Sequence, residues 1–302
     1  MVAAVLGVSL LGGWVVGRAV GGDARTADDP AIIGAGDMAT VIVGAGDIAS
    51  CSSQGDEATA RLLSNTGGTV FTTGDNAYPD GTAAQFADCY GPSWGRFKAR
   101  TRPAVGNHEY VVPGAEPYFG YFGARAGPAG KGYYSYDRGS WHVVVLNSNC
   151  SEVPCTEGSA QQRWLEADLA ANPSRCTLAY FHYPRFSSSG NNKNVAPFWE
   201  ELYEAGADVV LNGHSHNYER FAPQRPDGTL DPERGIREFV VGTGGGGLNP
   251  LKATKPNSQS RNDTTYGVLK LTLHPGSYDW KFVPVAGETG ETFTDSGTED
   301  CH

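Results

Sequence analysis

The stretches TVIVGAGDIA (40–49) and TVFTTGDNAY (69–78) decide how this chain is read. Each opens with a β-branched run, passes through glycine and delivers a polar, metal-competent side chain immediately afterwards. The same pattern returns in RPAVGNHE (102–109), VVVLNSN (143–149), TLAYFHY (177–183), DVVLNGHSH (208–216) and EFVVGTGG (238–245). Short continuous apolar runs of this kind mark strands buried on both faces. Helical stretches lie between several of them. One runs from about Asp56 to Leu63. A second follows a capping box of Ser159 and Gln162 and carries Trp164, Leu165 and Leu169. A third is expected to be capped by Asn194, with Val195, Phe198, Trp199, Leu202 and Tyr203 at i, i+3, i+4, i+7 and i+8. Strands alternating with helices predict an α/β fold. In such folds functional residues gather beyond the carboxyl ends of strands. That rule puts Asp47, Asp75, Asn107, His182, His214 and His216 on one rim.

Outward from this core, the segment 110–142, rich in Gly, Tyr and Phe, reads as a long surface excursion. GVLKLTLH (267–274) and SYDWKFVPV (277–285) read as a closing hairpin. The acidic tail from Glu288 reads as solvated surface. GAGD occurs twice, at 34–37 and 44–47, and Asp47 is preferred to Asp37 because it follows the better β-run. GTGGGG (242–247) lacks the Gly-Lys-Ser/Thr of a phosphate loop and reads as a tight turn near the rim. His142, His274 and His302 are read as structural.

Composition removes whole classes. With 41 Gly, 18 Pro and 39% hydrophobic residues the chain is too apolar for disorder, and its glycines have no collagen period. A net charge of −10 argues against a nucleic-acid scaffold as partner. Residues 1–17 carry no charged side chain, so 1–22 is read as an export signal or membrane tether. Residues 23–39 then form a linker, and 40–302 one catalytic domain. Six cysteines with no C-x-x-C predict three disulfides and a secreted or extracytoplasmic protein. Cys150 and Cys155 are close enough for a local loop; Cys51–Cys89 and Cys176–Cys301 are the remaining expected pairs.

Two carboxylates, an amide, three imidazoles and the phenol of Tyr78 make a set of oxygen and nitrogen donors without thiolate. Such donors suit iron, zinc and manganese. Their number exceeds the four ligands of a structural zinc site and fits two cations sharing a carboxylate, an arrangement that clamps both oxygens of a phosphoryl transfer. Magnitude favours that chemistry. General acid–base catalysis supplies roughly 10²–10⁴, whereas phosphate monoester hydrolysis can need up to ~10²¹.

GD (46–47), GDNAY (74–78), GNHE (106–109), FH (181–182) and GHSH (213–216) stand in the order of the calcineurin-like metallophosphoesterases, which the chain resembles from about residue 40 to 285. Tyr78, three residues after Asp75, and NYER (217–220) look most like the purple acid phosphatase branch, of the bacterial secreted type. The resemblance implies a four-layer αββα sandwich with two mixed β-sheets and a dimetal site at the strand C-terminal ends. It implies Asp47, Asp75, Tyr78 and His216 around a first metal, Fe3+, with Asp75 bridging. Asn107, His182 and His214 would complete a second site for Fe2+, Zn2+ or Mn2+. His108 would bind phosphate and assist the leaving group, and Glu109 would orient ligands from behind. Arg220 is expected in a supporting position, reaching phosphate or pairing with Glu219. The implied reaction is hydrolysis of phosphate monoesters, small molecules, by in-line attack of a metal-bound hydroxide. A phosphodiesterase or nucleotide hydrolase on the same core is the alternative, and a non-catalytic phosphate- or metal-binding protein the alternative of another class. Two departures stand out. Ile48-Ala49 replaces the usual residues after Asp47, and Tyr183-Pro184 follows His182 without a further histidine.

Overall fold

The computed structural model describes Met1 and residues 38–190, 192–286 and 293–302. The expected export or tether segment beyond Met1, the linker up to residue 37, and Asp37 lie outside the described residues. Fifteen strands follow in chain order: β1 (Thr40–Ala45), β2 (Ala49–Ser50), β3 (Thr69–Thr73), β4 (Ala77–Tyr78), β5 (Thr101–Ala104), β6 (Tyr134–Arg138), β7 (Trp141–Val145), β8 (Cys176–Tyr180), β9 (Val209–Asn212), β10 (Tyr218–Phe221), β11 (Arg237–Val241), β12 (Ser258–Asn262), β13 (Gly267–His274), β14 (Ser277–Pro284) and β15 (Ser296–Asp300). The helices are α1 (Gly55–Ser64), the single turn α2 (Ala83–Gln85), α3 (Glu116–Phe122), α4 (Ala160–Ala171) and α5 (Ala196–Glu204).

The strands form two large mixed sheets. One has the order β15-β14-β13-β1-β3-β5, with β1, β3 and β5 parallel and the closing hairpin antiparallel. The other has the order β12-β10-β11-β9-β8-β7-β6, with β7, β8, β9 and β11 parallel. All seven apolar runs singled out in the sequence are strands of these sheets. Period-2 alternation then sorts their side chains. In the second sheet Val143, Val145, Leu178, Tyr180, Val209, Leu211, Phe239 and Val241 face the first sheet. Their neighbours Val144, Ala179, Phe181, Val210 and Val240 face Leu165, Leu169, Phe198, Trp199 and Leu202 of α4 and α5. Aromatic pairs bridge the sheets: Phe71 and Tyr180 lie 5.8 Å apart and Tyr218 and Phe282 4.6 Å apart. The result is the mixed α/β fold, with α1 against the first sheet and α4 and α5 against the second.

Several local expectations need correction. Asn194 does not cap α5: a one-turn helix at Lys193–Val195 intervenes, Asn192 caps that turn by accepting from Asn194 N at 2.9 Å, and α5 starts at Ala196 with Pro197 in its first turn. Ser159 does cap α4, accepting from Gln162 N at 3.2 Å, but Gln162 reaches Gly158 N instead of closing a reciprocal box. The reciprocal box is at Thr82 and Gln85. The segment 110–142 is more than a surface excursion. Tyr118 and Phe122 of α3 are buried against Phe86 and Tyr90, and its last residues supply the edge strand β6. The acidic tail is not simply solvated either. Strand β15 pairs with β14, and two carboxylates of the tail are taken by arginines: Asp295, just before the strand, by Arg220 and Glu299 by Arg237. The cysteines pair as expected, Cys51–Cys89, Cys150–Cys155 and Cys176–Cys301.

Candidate metal centre

Parallel strands bring their carboxyl ends to the same edge, and the edges of both sheets meet here. Asp47 follows β1, Asp75 follows β3, Asn107 and His108 follow β5, His182 follows β8, and His214 and His216 follow β9. Tyr78 arrives by a different device. The short parallel pair β2–β4 aligns Ser50 with Tyr78, while Asp47, Ile48 and Ala49 donate their N–H groups to the carbonyls of Gly74, Asp75 and Asn76. Ile48 and Ala49 are fully buried, so the departure after Asp47 in sequence serves this zipper.

The backbone is held in an unusual state at three of these positions. Asp47, Asp75 and His214 have φ of 58°, 50° and 65°, the left-handed region that non-glycine residues seldom adopt. Such conformations persist where surrounding structure enforces them, and they concentrate at functional sites. His214 and His216 therefore stand on the bend between β9 and β10. Glycine before the polar residue has its reason in close approach. A Cβ on Gly106 would stand 2.1 Å from Asp75 Oδ1, and one on Gly213 2.6 Å from Asp47 Oδ2.

Two groups of donor atoms result. The Tyr78 hydroxyl lies 2.9 Å from Asp47 Oδ1, 3.1 Å from Asp75 Oδ2 and 3.0 Å from His216 Nε2. On the other side, His182 Nε2 lies 3.1 Å from the same Asp75 Oδ2 and 2.9 Å from Asn107 Oδ1, which is 3.2 Å from His214 Nδ1. Asp75 Oδ2 thus belongs to both groups. Asp47, Asp75 and His182 are buried, whereas the side chains of His108 and His216 are partly exposed and His214 is exposed.

The hydrogen count in these groups does not close. Thr73 O accepts from His182 Nδ1 at 2.8 Å, so in the neutral ring Nε2 carries a lone pair and faces two oxygens that can only accept. The single phenolic hydrogen of Tyr78 faces two carboxylates and an imidazole. Lone pairs converging without hydrogens between them are what a small cation requires, and spacings of 2.9–3.2 Å match neighbouring ligands bonded at about 2.1 Å. The residues present therefore fit two metal ions sharing Asp75.

The electrostatics show how the rim balances its charge when no cation is there. Burial opposes ionisation of Asp75, but the His182 and His108 imidazoles hold its carboxyl well below the usual range. Burial would lower His182, yet Asp75 lifts it to about 9, so without a cation a proton on Nε2 takes the place that the cation would fill. Although part of His214 faces solvent, desolvation of its ring among the packed groups of the rim, with help from His182, lowers it to about 4 and leaves its lone pair available. Burial followed by Asp47 and Asp75 raises the Tyr78 phenol, so only a strongly charged cation could take it as phenolate.

His108 stands at the mouth, its ring 4.5 Å from that of Tyr78 and its Nδ1 on Pro79 O. Glu109 is fully buried beneath. Its carboxylate accepts from Gly106 N at 2.7 Å, Asn76 N at 2.7 Å, Asp75 N at 3.1 Å and Ala77 N at 3.3 Å, tying the loops after β3 and β5 together. Arg220 is a correction. Side chains alternate along β10, so Arg220 points between the sheets to Asp295, at 2.7 and 3.0 Å, and reaches neither this rim nor Glu219. The glycine run does lie beside the site: a Cβ on Gly246 would meet the Tyr78 ring at 2.6 Å. Sequence reasoning missed Tyr183, whose ring lies 4.3 Å from His214 and 5.3 Å from His182; its position directly after His182 was the available signal.

A two-sheet α/β sandwich with paired donor groups at its strand ends defines a class of dimetal proteins. The chain belongs to the calcineurin-like phosphoesterase family, which its residues 40–218 match. Among curated relatives, it is 28% identical over 225 residues to purple acid phosphatase 15 of Arabidopsis thaliana, covering 62% of this chain and 41% of that one. It is 26% identical to probable inactive purple acid phosphatase 27 of the same plant, with 67% and 39% covered. The chain thus spans about two fifths of the length of these relatives. A solved purple acid phosphatase from yellow lupin, Lupinus luteus, shares the fold at TM-score 0.68 and 20% identity, over 87% of this chain and 54% of that one.

Proposed function

We propose that the protein is an exported phosphatase that hydrolyses phosphate monoesters at two metal ions. The observation that carries this is the pair of donor groups meeting at Asp75 Oδ2. Asp47, Asp75, Tyr78 and His216 would hold the first ion, and Asp75, Asn107, His182 and His214 the second. Tyr78 between two carboxylates favours Fe3+ in the first site, because a trivalent charge offsets what raises the phenol. The second donor set suits Fe2+, Zn2+ or Mn2+. When bound, the ions supply a water-derived nucleophile near neutral pH and neutralise the phosphoryl oxygens.

The chain's own groups do the rest. His108 Nδ1 donates to Pro79 O, so Nε2 faces the site; in the imidazolium form its N–H donates to a phosphoryl oxygen and that proton passes to the departing alkoxide, leaving the neutral ring. Glu109 keeps Asp75 and Asn107 in register by holding both loops. Three disulfides fit an oxidising compartment, which supports export. Among the described residues no helix is long and apolar enough to cross a membrane. We read residues 40–302 as one catalytic domain.

The test is metal content together with release of p-nitrophenol from p-nitrophenyl phosphate and from its bis-ester. Faster turnover of the monoester at two metals per chain is expected. Preference for the bis-ester would turn the reading to a phosphodiesterase. Two metals without hydrolysis of either would turn it to a binding protein.

A further inference from the structure

Directly beside the donor rim lies a cavity of about 780 Å3. His214 and His216 form its inner end, and Tyr183, Lys193, Asn249 and Lys252 stand among its walls. In a chain of net charge −10 this is an unusual lining: two ammonium groups, several amides and, among the described residues, no carboxylate. Cations gathered in a concave site concentrate and orient anions.

The walls are held in place before any ligand arrives. Glu238, fully buried, accepts from Arg185 N at 2.9 Å and Phe186 N at 3.2 Å. Glu219, also fully buried, accepts from Ser188 N at 2.7 Å, Ser188 Oγ at 2.6 Å and Ser258 Oγ at 2.6 Å. Ser188 Oγ in turn accepts from Lys255 N at 3.1 Å, so the loops bearing Lys193 and Lys252 hang on one buried carboxylate. The second loop is also anchored to the rim itself, Asn249 N donating to His216 O at 2.9 Å. A prebuilt cavity avoids the ordering cost that a floppy one would incur on binding.

We propose that this cavity receives the leaving-group arm of the substrate, and that Lys193 and Lys252 select arms carrying a second negative charge, a further phosphoryl or carboxylate group. This rests on the phosphatase reading and names the substrate class within it. The experiment compares initial phosphate release from fructose 1,6-bisphosphate and fructose 6-phosphate by the metal-loaded protein and its Lys193→Ala/Lys252→Ala variant. In the native protein kcat/KM should favour the bisphosphate by about tenfold or more, with the advantage shrinking as salt rises. In the variant the ratio should collapse toward that of a charge-blind site, and Lys252→Glu should lower it as well. An unchanged ratio in the double variant, or no preference in the native protein, overturns the inference while leaving the phosphatase reading intact. If the native protein turns over neither compound at two metals per chain, the phosphatase reading fails only where p-nitrophenyl phosphate is left intact as well. Equilibrium binding of the same two compounds then decides the charge inference: bisphosphate affinity about tenfold higher and lost in the variant supports it, and equal affinities overturn it.

Discussion

Asp47, Asp75 and His214 hold backbone dihedrals that glycine would adopt at less cost, yet each needs its side chain. That conflict between local propensity and side-chain chemistry is expected where function overrides stability. Asp75 is the most constrained, because one of its oxygens serves both donor groups. Asp75→Ala should therefore lose both metals, read by elemental analysis; full occupancy would defeat the shared-ligand assignment. With ferric iron beside Tyr78 the protein should be coloured, and Tyr78→Phe should abolish the visible band. A band that survives would place another chromophore at the site. Glu109→Gln turns an amide N–H2 toward backbone donors, and should cost about 2–4 kcal/mol by urea unfolding along with weaker metal retention. A change below about 0.5 kcal/mol would remove its bracing role. Most of these residues were legible because each follows a strand-like run and bears metal-type chemistry. Arg220 was not, since its partner Asp295 is 75 residues distant and only β15 pairing brings it near.

Elements repeat the lesson at larger scale. Strands buried on both faces announce themselves by continuous apolar runs, so β1, β3, β7, β8, β9 and β11 could be read directly. Polar edge strands do not. SQSRN of β12 and SGTED of β15 are polar and half-exposed, with nothing but hydrogen bonds to a neighbour to make them strands. Strand β15 nevertheless contributes a charge pair between the sheets. Glu299 grips Arg237 through two bonds of 2.6 and 2.8 Å, and Tyr278 donates to the same carboxylate at 2.6 Å. Removing the carboxylate leaves a buried guanidinium without its counter-charge, so Glu299→Ala should destabilise the fold by about 3 kcal/mol, measured by urea unfolding. A loss under about 1 kcal/mol would mean that water or Gln259 compensates.

At the scale of the whole molecule, Asp208 couples stability to pH. Its carboxylate accepts from Thr177 N and His302 N beside the Cys176–Cys301 bridge, and burial pushes its pKa up to about 7 from 3.8. The folded state thus binds the proton that the unfolded state has released between those values, and stability falls as pH rises from about 4 to 7. Asp208→Asn should lose that dependence, gaining roughly 2–4 kcal/mol on the native protein across the interval, beside a constant offset from one lost acceptor. Parallel stability curves for the two proteins would contradict the assignment. At the rim where both sheets end, the proposed reading has two metal ions share Asp75 and make the protein a phosphomonoesterase. It is tested most directly by titrating metal-free protein with iron and zinc while following p-nitrophenyl phosphate turnover. Activity should rise to a plateau at two metals per chain and be lost to a chelator. A plateau of occupancy at two metals with no turnover, or turnover indifferent to metal, would contradict it.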